Sequence, residues 1–303
     1  MATLETSNST AFEAAAAEAD EERQRAGRRR WLKSLKSNKA ALVSAAILLF
    51  IVVVALLAPL IAPHDPKFID PSIRLMSPSS EYRFGTDDFG RDVLSRVMYG
   101  ARASLPIGVG VTVVAALIGS ILGLVSGYYN RLDTPIMRVM DGLMAFPSIL
   151  LAIAIVAARG ASTRNVFIAL TVVYVPIIAR LMRGSTLVLK NQAFVESARS
   201  IGLRDHSILV RYIFLNSLSP LIVQCTFVIA FAIISEAALS FLGAGVPPET
   251  PSWGNMLRDG QKFIQSAWWM AMFPGTALFI TVLALNIFGD GLRDAFDPRS
   301  RER

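Results

Sequence analysis

The feature that most constrains this chain is the stretch 41–62, an apolar run without a single charged side chain. About 20 such residues in a helix match the roughly 30 Å hydrocarbon core of a bilayer. In lipid, only helices and closed barrels satisfy their own backbone hydrogen bonds. Five further stretches repeat the pattern with at most one interior charge: 104–126, 140–158, 165–182, 217–242 and 268–289. The chain therefore reads as an all-α integral membrane protein with about six transmembrane helices. Pro147 and Pro176 interrupt the third and fourth spans, which are the least regular.

Composition agrees. Of 303 residues, 53% are hydrophobic and 17% charged, too few charges to cover a soluble surface of this size. The net charge of +7 does not point to nucleic acid. Its basic residues fall between the apolar runs and in the tails, with no basic face interleaved with aromatics. The long hydrophilic leader and the length of the first run argue against a cleaved signal peptide. Cys225 is the single cysteine, and His64 and His206 are the two histidines. They leave no basis for an intrachain disulfide, a Cys-based metal site or a Ser-His catalytic pair.

An even number of spans puts both termini on one side, and the Lys/Arg bias selects the cytoplasmic side. Arg23 to Lys39, Arg131, Arg138, the basic residues from Arg183 to Arg211, and Arg293 to Arg303 all fall there. The expected organisation is a disordered leader at 1–27, a basic interfacial helix at 28–40 anchored by Trp31, and a transmembrane domain at 41–292. Within it lie an extracytoplasmic loop at 63–103 and a cytoplasmic loop at 183–216, and a cytoplasmic tail at 293–303 follows.

Three features inside the spans stand out. Gly119, Gly123 and Gly127 repeat every four residues and form a small-residue face for close helix packing, or alternatively one wall of a solute path. Pro147, Pro176, Pro220 and Pro274 predict kinks. Glu236 is the one acid well inside an apolar stretch. A charge at mid-bilayer costs about 2.5–3.5 kcal/mol, so Glu236 belongs either to a hydrated solute path, with Ser240 one turn on and Phe146 and Ser148 in the third span, or to a paired structural site.

The loop at 183–216 holds Phe194-Val195-Glu196-Ser197-Ala198-Arg199-Ser200-Ile201-Gly202-Leu203-Arg204-Asp205. Its composition predicts a helix ended by Gly202 in a left-handed conformation, followed by a second helix capped by Asp205. Phe194, Val195, Ala198 and Ile201 on a helix outside the membrane require something to dock against.

Here the chain resembles a known family. Glu196-Ser197-Ala198 followed by Gly202 matches the EAA-type loop of ABC importer permeases. The segments 84–96 (FGTDDFGRDVLSR), 248–254 (PETPSWG) and 289–298 (GDGLRDAFDP) resemble the oligopeptide/dipeptide type, second permease of the pair. One departure is the usual Leu-Pro after the second loop helix, replaced by Phe214-Leu215 with Pro220 five residues on. The resemblance implies the type I ABC importer permease architecture. It assigns Glu196, Ser197, Ala198, Arg199, Ser200, Ile201, Gly202, Leu203 and Arg204 to coupling with a separate ATPase that holds ATP and Mg. It also implies two ATPase subunits, a homologous second permease and an extracytoplasmic solute-binding protein, in the inner membrane among lipid. The solute class it implies is di- or oligopeptide or glutathione, with a nickel complex as alternative. The chain has no G-x-x-x-x-G-K-[ST] phosphate loop of its own. An ion-coupled secondary transporter is the competing reading, with Glu236 as its one coupling acid.

Overall fold

The computed structural model describes residues 38–296, whose regular secondary structure is helical apart from one isolated backbone bridge between Thr86 and Asp92. The expected leader at 1–27, nearly all of the interfacial helix at 28–40 and most of the tail lie outside the described residues. In chain order the helices are α1 (Lys39–Ile61), α2 (Val93–Tyr128), α3 (Asn130–Met144), α4 (Ser148–Arg159), α5 (Thr163–Leu189), α6 (Ala193–Ser200), α7 (Asp205–Phe241), α8 (Trp253–Gln261) and α9 (Trp269–Phe296). Helices α1, α2, α5, α7 and α9 are each long and apolar enough to cross a membrane. The α3–α4 pair is the sixth candidate, bent by 90°.

Several boundaries depart from expectation. The outer loop at 63–103 ends early, because α2 begins at Val93 and runs for 36 residues. Asp92 caps it, accepting the Ser95 N–H at 2.8 Å and the Ser95 hydroxyl at 2.6 Å. The third span is not one straight helix. Pro147 breaks it, and the twelve residues of α4 reach only about 18 Å at 1.5 Å per residue, short of a bilayer core. The expected interruption at Pro176 is absent: that residue is buried within a continuous α5, which passes Met182 and ends at Leu189. The loop at 183–216 thus contracts at both ends, since α7 starts at Asp205. At the start of α7, Ile208–Phe214 is π-helical and Leu215–Ser217 is 3-10 before the α-helix resumes. Pro220 follows this change of pitch, so the helix adjusts its winding ahead of the missing donor instead of ending.

The centre of the bundle is the α2–α5 contact. A Cβ placed on Gly119 would lie 2.9 Å from the Val175 carbonyl oxygen. On Gly123 it would lie 2.5 Å from the Ala179 oxygen, and on Gly127 2.6 Å from Thr186 Cβ. The three glycines therefore lie backbone-on-backbone against one face of α5. In lipid, where burying apolar surface brings no gain over contact with acyl chains, such close packing is what holds helices together. Helices α1 and α9 pack outside this pair, and α8 lies against α7 and α9. Leu49, Phe50, Val53, Leu56 and Leu60 of α1 and Val113, Leu117 and Ile121 of α2 face outward.

The loop before α2 is held by a charge cluster. Asp87 accepts the Phe89 and Arg91 N–H groups at 2.8 and 3.0 Å and pairs with Arg91 Nε at 2.6 Å and Arg96 Nε at 3.3 Å. Arg96 is 1% exposed. Gly85 and Gly90 have φ of +73° and +76°, and neither has room for a side chain. Trp269 donates from its indole nitrogen to the Thr86 carbonyl at 3.0 Å, tying the start of α9 to this loop.

Two outcomes follow. Gly123→Leu is expected to drive α2 off α5 and reduce recovery of folded protein several-fold, measured by size-exclusion of the detergent-solubilised protein; overpacking of this kind costs about 1–3 kcal/mol or more. Asp87→Ala is expected to destabilise by up to about 3–5 kcal/mol, because it removes the carboxylate that pairs directly with the buried Arg96 and leaves only the more distant Asp259 and Asp88 to offset its charge. The apolar double substitution Asp87→Leu with Arg96→Met is expected to recover part of that loss in thermal unfolding.

Candidate functional site

The segment singled out by its sequence, 193–205, lies across one end of the bundle. The N–H groups of Val195 and Glu196 donate to the Gln192 carbonyl at 2.9 and 3.1 Å, starting α6. At its other end Gly202 N–H donates to Arg199 O at 2.9 Å and Leu203 N–H to Ala198 O at 3.1 Å. This paired bonding is a Schellman stop, and it requires the left-handed Gly202, with φ of +79°. No atom lies within 4 Å of the position a Gly202 Cβ would take. The requirement for glycine is therefore conformational and not steric.

The four apolar residues of α6 and its turn divide. Val195 and Ala198 are buried against Ile208 and Ile213 of α7, Leu124 and Tyr128 of α2, and Leu189 of α5. They have partners within the chain, contrary to the expectation that all four await an external one. Phe194 and Ile201 remain 41% and 76% exposed, with Leu203 beside them. Spacing of three residues puts Val195 and Ala198 on the inner face, and Glu196, Ser197, Arg199 and Ser200 on the outer one, where all four are exposed. The exposed run continues through Gly202 and Arg204. The Ser200 hydroxyl donates to the Glu196 carbonyl at 3.0 Å. The Glu196 carboxylate points outward without capping the helix start, whose donors go to Gln192.

Charged and aromatic side chains fasten this end to the bundle. Tyr128 donates its hydroxyl to the Asp205 carboxylate at 2.7 Å, and the Arg199 guanidinium lies 5.1 Å from the centre of the Tyr128 ring. Asp205 is thus the first residue of α7 and not its cap, a position held by Arg204. Lys190 Nζ donates to the Gly127 carbonyl at 2.8 Å, and Arg183 forms a two-point pair with Asp133 at 2.6 and 2.7 Å. Arg180 pairs with Asp141 at 2.6 Å. The sequence reading missed Tyr128, Lys190 and Asp133 as anchors. Each stands at or near a helix end, and its partner lies 50 to 77 residues away in sequence, so no local signal marks it.

The remaining candidates do not come together on one surface. Glu236 and Ser240 are wholly buried. The Ser240 hydroxyl donates to Glu236 Oε1 at 2.8 Å and accepts the Val246 N–H at 3.1 Å. The turn after α7 is a second Schellman stop, with Gly243 at φ +81°. Asn255 on α8 clamps the following loop, its amide nitrogen lying 3.1–3.2 Å from the Val246, Pro247 and Thr250 carbonyls. Glu236 thus sits under a closed loop. Phe146 and Ser148 are exposed, at the α3–α4 bend. Among the described residues no cluster of His, Cys, Asp and Glu could hold a metal ion.

Known proteins place this geometry. Residues 94–302 match the family described as binding-protein-dependent transport system inner membrane component. Residues 28–78 match the N-terminal transmembrane domain of oligopeptide transport permease C. The chain is similar to the dipeptide transport system permease protein DppC of Alkalihalophilus pseudofirmus, 46% identical over 270 residues covering 89% of each chain. It is also similar to the glutathione transport system permease protein GsiD of Escherichia coli O6:K15:H31, 48% identical over 248 residues covering 81% of this chain and 82% of that one. Among solved structures, a chain of the inward-facing MetNI methionine ABC transporter matches with a TM-score of 0.51 and 19% identity, over 64% of this chain and 95% of that one. That likeness concerns the fold alone. With a family match over more than half its length and close relatives along most of it, the chain belongs to the inner membrane components of binding-protein-dependent transport systems, as a multi-helix permease subunit.

Proposed function

We infer that this chain forms half of the translocation pathway of an ATP-driven importer for small peptides, glutathione included. The single observation that carries the reading is the two-sidedness of α6. Its inner face is fixed to α2, α5 and α7 through Val195 and Ala198, while Phe194, Ile201, Leu203 and the Glu196 carboxylate are left on an open outer face. A short rigid helix built this way suits a groove on a separate ATPase chain, which binds ATP and Mg and works in two copies. Movement of that groove would pass directly into α2 and α5. A homologous second permease completes the pathway, and a solute-binding protein delivers solute at the opposite end.

The printed names of the relatives, dipeptide and glutathione permeases, support peptides over a nickel complex. Membership in a binding-protein-dependent family leaves the ion-coupled reading without support, as does the enclosure of Glu236. Of the path candidates, Phe146 and Ser148 carry the reading, because they are exposed at a bend where lipid-facing structure would be unfavourable. Ser240 ties down the loop after α7 through the Val246 N–H, with Glu236 buried beneath it as the acceptor of its hydroxyl. Both termini and α6 are cytoplasmic on the Lys/Arg bias.

Two tests apply. In a Cys225→Ser background, a cysteine at Phe89 is expected to react with an impermeant maleimide in intact cells, and one at Ile201 only after the inner membrane is opened; the reverse pattern inverts the topology. Gly202→Val forces a side chain into a left-handed conformation at about 1–2 kcal/mol and is expected to loosen the α6–α7 turn. The permease should still insert but co-purify with less ATPase and lose solute-stimulated ATP hydrolysis, and Glu196→Arg should weaken docking likewise. Normal docking and stimulation in both variants would refute the coupling role.

A further inference from the structure

Between α1, α2 and α9, away from the α6 surface, lies a crevice of about 540 Å³. Phe50 and Ile51 form one wall, Val97 the second, and Ala277 and Ile280 the third, with Trp253 also lining it. Two hydroxyls, of Thr276 and Thr281, are the sole polar side-chain groups in its lining apart from the Trp253 indole N–H. That N–H is already donated to the Val97 carbonyl at 3.1 Å, and the Thr281 hydroxyl to the Ala277 carbonyl at 2.7 Å. The volume lies in the range of small-ligand sites, roughly 300–1,000 Å³, but nothing in the lining would fix a peptide's charges or amides. The mouth is continuous with the lipid-facing surface: Phe50 is 68% and Ile280 39% exposed, on helices that cross the membrane. What reaches this crevice is hydrocarbon, and since an acyl chain gains no hydrophobic burial on leaving the bilayer, what holds it there is close packing against the walls.

We propose that the crevice between α1, α2 and α9 holds one acyl chain of a bilayer phospholipid as a bound ligand, wedged between the first helix and the bundle beside Trp253. Its walls are a packing defect in the protein alone, because α1 leaves α2 and α9 without side chains to fill the gap. An acyl chain in it restores the contacts that a void forfeits. The site recognises hydrocarbon and is indifferent to headgroup.

The test uses the assembled transporter reconstituted in phosphatidylcholine vesicles whose acyl chains carry bromine, a short-range quencher of indole emission. The Trp253 contribution is the difference in emission between wild type and Trp253→Phe. It is expected to lose most of its intensity in brominated relative to unbrominated vesicles. Ala277→Phe, which fills the crevice, should restore at least half of it while ATP hydrolysis by the complex is retained. Ile51→Phe, from the opposite wall, provides the same reading if Ala277→Phe does not assemble. Native mass spectrometry should show one retained phospholipid fewer in the filled variant. An unquenched Trp253 contribution, or quenching unchanged in both filled variants, would overturn the proposal. So would efficient disulfide cross-linking of a cysteine at Ile280 to the second permease, since the crevice would then be a subunit contact.

Discussion

The close approach of α2 and α5 is the constraint on which the rest of the molecule depends. In a bilayer the apolar faces of two helices gain little by leaving lipid, so contact must come from shape. Gly119, Gly123 and Gly127 supply it by letting the backbone of α2 touch Val175, Ala179 and Thr186 of α5. Apart from Ile208 and Ile213 of α7, the anchors of the α6 end lie on or beside this pair. Leu124 and Tyr128 lie on α2, Leu189 lies on α5, and Lys190 donates to the carbonyl of Gly127 itself. Separating the two helices would dismantle the surface that presents α6.

What the sequence made legible, and what it did not, follows from where partners lie. The apolar runs of α1 and α9 are self-evident, and the glycine spacing is visible because it is local. The left-handed stop at Gly202 is legible for the same reason. The first residues of α2 read as loop because Arg96 and Arg102 lower their hydropathy, yet Arg96 is neutralised by Asp87 in the loop before the helix. Arg183 and Lys190 likewise read as loop, but α5 carries Arg183 into a pair with Asp133 and ends just before Lys190, which bonds to the end of α2. The inner face of α6 has helical spacing that is plain in sequence. Its partners at Leu124 and Leu189 are not, because only the folded bundle brings them there. In each case the misread residue is a charge or apolar side chain whose partner is supplied by tertiary structure.

The same reasoning explains why the segments that identify the family say little about solute. In 84–96, Gly85 and Gly90 hold positive φ, and Asp87 collects two backbone donors and two guanidinium groups. Asp92 caps α2, and the carbonyl of Thr86 receives the Trp269 indole. In 248–254, Ser252 caps α8 and accepts the Asn255 N–H at 3.2 Å, and Trp253 is buried against α2. These residues are committed to holding the ends of helices. A pattern of this kind specifies an architecture and leaves the solute to surfaces it does not contain.

Helix α2 joins the two ends. Its 36 residues make a rod about 54 Å long at 1.5 Å per residue. The rod is capped by Asp92 beside the Asp87 cluster and finished by Tyr128, which is bonded to the first residue of α7. Because α6 packs on Leu124 and Tyr128, any displacement of α6 bears on the last turns of this rod. Packed helices respond to such a load by shifting as bodies and not by local yielding, since interiors at close-packed density are not continuously deformable. The 90° bend at Pro147 leaves Phe146 and Ser148 exposed, while Met137 and Met140 before it and Ala152 and Val156 after it are buried in the core that α2 and α5 share.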